Sequence, residues 1–122
     1  MIQANEIRVG NIFIGYDDKL FSWGLKEFSF IDTDVNISIN EIIKSPVVLS
    51  EEILLKCGFL KDNNYSGLHS KIGALEIKIR FNSKIAYCEI GGIYFGDRFK
   101  YLHELQNVWH SMSGQELNTS GL

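Results

Sequence analysis

A chain of 122 residues, 45% of them apolar and only one a proline, has enough apolar material for a real core and excludes a largely disordered protein. Its 12 basic and 15 acidic residues leave a net charge of −3, which excludes a dedicated coat for extended nucleic acid, since that binding is driven by clustered Lys and Arg. Two cysteines, Cys57 and Cys88, both in apolar runs, are too few for a disulfide scaffold.

The N-terminal Met-Ile-Gln-Ala-Asn-Glu lacks a basic segment followed by an apolar run, so no signal peptide is expected. No apolar stretch approaches the ~20 residues that span a bilayer. A cytoplasmic setting without a membrane partner is the expectation. The length predicts a single domain over residues 1–117 with a frayed tail at 118–122.

The first third reads as β. Ile7-Arg8-Val9 leads through Gly10-Asn11 into Ile12-Phe13-Ile14, and Gly15-Tyr16-Asp17-Asp18 has turn composition. Phe28-Ser29-Phe30 and Ile37-Ser38-Ile39 alternate as strands would, with Asp32-Thr33-Asp34 as the break. A short helix follows. Ser50 is its N-cap, Glu51 and Glu52 favour the first-turn dipole, Leu49 and Leu54 take staple positions, and Gly58 takes the left-handed stop. Leu75, Ile77, Ile79 and Phe81 then alternate with Glu76, Lys78 and Arg80, predicting a strand with one charged face. Asn82-Ser83-Lys84 turns into Ile85–Ile90, and Gly91-Gly92 permits a two-residue hairpin into Ile93-Tyr94-Phe95. A last helix is predicted from about Arg98 to Met112, with Asp97 as N-cap and Gly114 as stop. The sum is an α+β fold: a bent antiparallel sheet or partial barrel with a short middle helix and a C-terminal amphipathic helix.

The last helix has an unusual polar side. His103, Gln106, Asn107 and His110 recur at i, i+3, i+4 and i+7, nearly opposite an apolar stripe of Tyr101, Leu102, Leu105, Val108, Trp109 and Met112. Solvated faces favour Lys and Glu; amides and imidazoles suit partly buried hydrogen bonding. The stripe can be a solvated face, a structural or subunit contact, or a ligand contact. Hydrogen bonding that holds the helix to a sheet or a neighbouring subunit is the reading adopted for His103, Gln106 and Asn107. A metal is not expected: His103 and His110 lie about 10 Å apart along the axis, too far to share an ion. No nucleophile elbow, phosphate-binding loop or dinucleotide fingerprint occurs, so no catalytic residue, enzyme activity or cofactor is expected.

The charge is uneven. Residues 1–50 hold four basic against seven acidic residues, whereas Lys71, Lys78, Arg80 and Lys84 face only Glu76 within 71–84. Lys78 and Arg80, with Lys84, Arg98 and Lys100, form the candidate anion surface, and Trp23, Tyr87 or Tyr94 could stack a base beside it. The competing explanation is an edge strand protected by charge; an exposed edge at 75–81 could equally pair subunits into a homo-oligomer.

Three blocks add context: Ala-Asn-Glu-Ile-Arg-Val-Gly-Asn at 4–11, Leu-Ser-Glu-Glu-Ile-Leu-Leu-Lys-Cys-Gly-Phe at 49–59, and Lys-Tyr-Leu-His-Glu-Leu-Gln-Asn through Ser-Gly-Gln-Glu-Leu at 100–117. Together they resemble a family of small proteins from Bacteroides-type bacteria, their phages and mobile elements. His103, Gln106 and Asn107 match the pattern of its last block. Positions 109 and 110, Trp and His here, look like Tyr and Phe in relatives, so His110 inherits no role. The resemblance implies a phage or mobile-element setting and no particular activity. The expected function is a non-enzymatic binding protein, in one version a counter-defence protein that sequesters a nucleotide-derived signal. The alternatives are an adaptor or inhibitor that meets a host protein through the polar face of the last helix, and a small nucleotide hydrolase.

Overall fold

The computed structural model describes residues 2, 6–32, 38–61, 67–82 and 85–122, with backbone alone at 30–32. The chain forms two compact units. One comprises Met1–Val47 with Tyr101–Asn107, the other Val48–Lys100 with Val108–Leu122. Both sheets are antiparallel, helices accompany them, and among the described residues neither sheet closes into a barrel. The fold is α+β, as the element pattern predicts.

The first unit is built on a three-stranded sheet of order β2-β1-β3, with β1 at Ile12–Ile14, β2 at Leu20–Ser22 and β3 at Ser45–Pro46. The predicted turn at 15–18 is the β1–β2 connection: Asp18 donates to the Gly15 carbonyl, and Gly15 to that of Lys19. Ile7-Arg8-Val9 is not a strand but a turn, in which the Asn11 amide donates to the Arg8 carbonyl at 3.0 Å.

Phe28-Ser29-Phe30 lies in helix α1, Leu25–Asp32, and not in a strand. Its start explains why. Gly24 donates its amide to the Glu27 carboxylate at 3.0 Å, the Glu half of a capping box. Trp23 and Phe28 stand at the N′ and N4 positions and meet edge to face at 5.5 Å, a hydrophobic staple. Two phenylalanines two apart were too short a pattern to outweigh those signals. Likewise Ile39 opens a single turn, α2 (Ile39–Ile42), where Ile37-Ser38-Ile39 reads as strand; Ile37 itself, like Thr33 and Asp34 of the predicted break, lies outside the described residues. Ile7, Phe13, Trp23 and Ile43 form the buried cluster, with Ile2, Phe21, Phe28, Ile39 and Ile42 against it.

The second unit carries a five-stranded sheet in plain sequence order: β4 (Leu60–Lys61), β5 (Gly67–Ile72), β6 (Leu75–Asn82), β7 (Ile85–Ile90) and β8 (Ile93–Gly96). The alternation in β6 holds at its centre, where Ile77 and Ile79 are buried and Lys78 and Arg80 exposed. Ile90 pairs with Ile93, and Gly91 and Gly92 both take positive φ (58° and 86°), the geometry of a tight primed turn that other residues resist. The Ser83-Lys84 part of the preceding turn lies outside the described residues.

Helix α3 (Glu51–Lys56) begins as its sequence indicates: Ser50 accepts from the Ile53 amide at 3.2 Å. Ser50→Ala should therefore cost ~1 kcal/mol of stability, read as a lower urea midpoint with unchanged slope. The final helix α4 (Leu102–Ser113) starts four residues later than predicted. Its first turn is closed by Glu104, which accepts from the Tyr101 amide at 3.0 Å, so Asp97 has no capping role. The Gly114 amide returns to the His110 carbonyl at the predicted stop. Beyond it Leu117 is buried, and Gly121 lies so near the Lys56 carbonyl that a Cβ there would come within 2.5 Å of the oxygen.

Candidate functional site

The polar stripe of α4 is turned inward. His103 and Gln106 are each 1% exposed, and Asn107 is half-buried. Gln106 accepts from the Ile12 amide at 2.8 Å through Oε1 and donates to the Gly10 carbonyl at 2.9 Å through Nε2. Asn107 accepts from Asn11 Nδ2 at 2.8 Å and donates to the Glu6 carbonyl at 2.6 Å. Asn11 in turn accepts from the Arg8 amide at 2.6 Å. Each amide's orientation is dictated by a backbone group that can only donate or only accept, so the relay admits one arrangement. The first and third sequence blocks thus hold each other: 103–107 fastens the turn at 6–12. Gln106 and Asn107 thus spend their amides on hydrogen bonds within the unit. Both ends of the Gln106 amide are occupied there, so an adaptor using this face would have to break these bonds. Sequence reasoning missed Asn11 and the backbone of Glu6 as parts of the network, because their partner lies about 100 residues away in the chain.

His103 behaves differently. Its ring lies 5.0 Å from that of Phe13 and stacks on Tyr101 at 6.0 Å, and among the described residues neither Nδ1 nor Nε2 finds a hydrogen-bond partner. Burial lowers its pKa, opposed by the charges of Glu104 and Glu6. It also borders a cavity of about 280 Å³ lined with Ile2, Glu6, Asn40, Lys44 and Tyr101. His110 is half-buried further along α4.

The anion candidates come together on the sheet of the second unit. Register places Arg80 between Gly67 and Tyr87, and Lys78 between His69 and Glu89, with Tyr94 beyond Glu89. Residues directly opposite share a face, so these side chains stand together, on the side away from buried Leu68, Ile79 and Cys88. Gly67, Lys78, Arg80, Tyr87, Glu89 and Tyr94 line a hollow of about 270 Å³. A Cβ at Gly67 would stand 3.3 Å from the Ile79 carbonyl oxygen and in ordinary contact with Arg80 Cβ at 3.8 Å. Lys78 pairs with Glu76 at 3.3 Å. No carboxylate of the described residues reaches Arg80 within ion-pair distance.

This arrangement corrects the edge-strand explanation. β6 is hydrogen-bonded on both sides, to β5 and β7, so its charges protect no edge and it cannot pair subunits. Among the described residues the edge strands of this sheet are β4 and β8. Trp23 is not available for stacking on a ligand, because it is fully buried between Phe13, Phe21 and Phe28 in the first unit's core. Arg98 is exposed but does not line the hollow, and Lys84 lies outside the described residues.

Burial pushes the Cys57 thiol up to about 11 and the Cys88 thiol to about 12, the latter with help from Glu89. The thiolate is the reactive form, so burial disfavours a nucleophilic role for either at neutral pH. Among the described residues no three His, Cys, Asp or Glu come together to hold a metal, and no helix is long and apolar enough to cross a membrane. No family model matches the chain, and no curated protein or solved structure does either.

Proposed function

We propose that the chain is a non-enzymatic binding protein whose ligand is a nucleotide-type anion, held on the solvent-facing side of the five-stranded sheet. The observation that carries this is the convergence of Lys78, Arg80, Tyr87 and Tyr94 on one hollow floored by Gly67, on a central strand where edge protection gives no reason for the charge. A guanidinium that no carboxylate of the described residues reaches suits bidentate phosphate contact, and tyrosine faces suit a base. Glu89 in the same wall disfavours a bare phosphate there and leaves room for the N–H groups of a base. In a phage or mobile-element setting, such a protein would sequester a nucleotide signal.

Calorimetric titration with nucleoside monophosphates, ADP-ribose and short cyclic oligonucleotides tests the reading. Arg80→Met should weaken binding by about 10–100-fold, the loss of one charge-assisted contact. Absence of heat with every ligand, or Arg80→Met binding as wild type does, would overturn it. Product formed during incubation would replace sequestration with hydrolysis.

A further inference from the structure

Arg80 borders a second hollow. It measures about 280 Å³ and is lined by Arg80, Phe81, Asn82, Tyr87 and Tyr94. Three of those, Arg80, Tyr87 and Tyr94, also line the first. Each hollow lies near the lower end of the ~300–1,000 Å³ usual for a small-molecule site, and the two share a wall at Arg80, Tyr87 and Tyr94. The side chains common to both are one guanidinium and two phenol rings. A ligand that fills both hollows therefore has the guanidinium and both phenol rings within reach.

We propose that the site takes a dinucleotide: two nucleosides joined through a phosphodiester at Arg80, each base against one tyrosine. This rests on the nucleotide reading above. Two further features give the ligand a direction. Glu89 lines the first hollow and not the second. A carboxylate accepts hydrogen bonds and offers none, so the base it prefers carries adjacent N–H donors on one edge, which guanine does and adenine does not. Asn82 lines only the second hollow, where an amide can both donate and accept and discriminates less. Gly67, opposite Arg80 in the register, lines the first hollow without a side chain.

The test compares GMP, AMP, pGpG, pApA and a ten-nucleotide RNA by calorimetry on the whole chain. pGpG should bind at least about tenfold more tightly than GMP, since the second base adds its own stacking contact. Asn82→Ala, at an exposed position that lines the second hollow and not the first, should narrow the advantage of pGpG over GMP. Glu89→Gln should narrow the preference of pGpG over pApA. Equal binding of GMP and pGpG overturns the dinucleotide proposal and leaves the nucleotide reading standing. A decamer that binds about tenfold more tightly than pGpG overturns it in favour of a continuous strand track. No binding by any of them removes both readings.

Discussion

Gln106→Leu should destabilise the protein by about 2–5 kcal/mol, the largest effect expected of any single substitution at the polar stripe. Leucine nearly matches glutamine in volume, so packing is not what is lost. The Ile12 amide loses its acceptor and the Gly10 carbonyl its donor, at a side chain only 1% exposed. Each stranded buried backbone group costs about 1–3 kcal/mol, because water cannot replace the missing partner. Gln106→Glu separates the two bonds: it keeps an acceptor for Ile12, loses the donor to Gly10 and buries a charge. Asn107→Ala should cost less, because Asn107 is half-buried and water can reach Asn11. Urea denaturation monitored by tryptophan fluorescence reads this directly, since Trp23 belongs to the same unit. A Gln106→Leu variant within 1 kcal/mol of wild type would show that the turn at 6–12 is held without the amide.

His103→Phe should do the opposite. Both imidazole nitrogens are buried without partners among the described residues, so removing them removes a desolvation cost. The larger ring has space in the adjoining cavity, which limits overpacking. A gain of about 1–2 kcal/mol follows at neutral pH. The pH dependence gives a second readout. The folded pKa of His103 lies below its ordinary value of 6.5. Between those two values the unfolded chain binds a proton that the folded chain does not. His103 therefore costs nothing electrostatically above pH 6.5, and stability falls as pH drops from 6.5 towards the lowered pKa. The Glu104 and Glu6 charges moderate that fall. Thermal melts of wild type from pH 7.5 down to 5 should show the decline, and His103→Phe should lack that part of it. A variant less stable than wild type at pH 7.5 would mean that a nitrogen is hydrogen-bonded in solution.

The two predictions have opposite signs although the residues lie three apart on one helix face. One side chain has its polar atoms matched to backbone groups, and the other is stranded among rings. Composition suggested partial burial for both, since amides and imidazoles replaced the usual Lys and Glu. It could not say which would find partners, because those partners are backbone atoms about 95 residues away in sequence.

Several features were legible in the sequence by itself: the α+β class, the Ser50 cap, the Gly91-Gly92 hairpin, the one-sided alternation at the centre of β6 and the stop at Gly114. Each depends on residues within a few positions of one another, and local sterics and hydrogen bonding decide them. Helix α1 was legible in principle, through the Trp23–Phe28 staple and the Glu27 cap, but a short alternation concealed it. Tertiary structure decided the rest. It made β6 an interior strand, so that Lys78 and Arg80 lie on an open sheet face and protect no edge. It took Trp23 into a core and brought Tyr87 and Tyr94 beside Arg80 through strand register. It also turned the polar stripe of α4 onto the turn at 6–12. Strand order and long-range register are set by which surfaces bury together most completely, and periodicity within one segment carries no record of that choice.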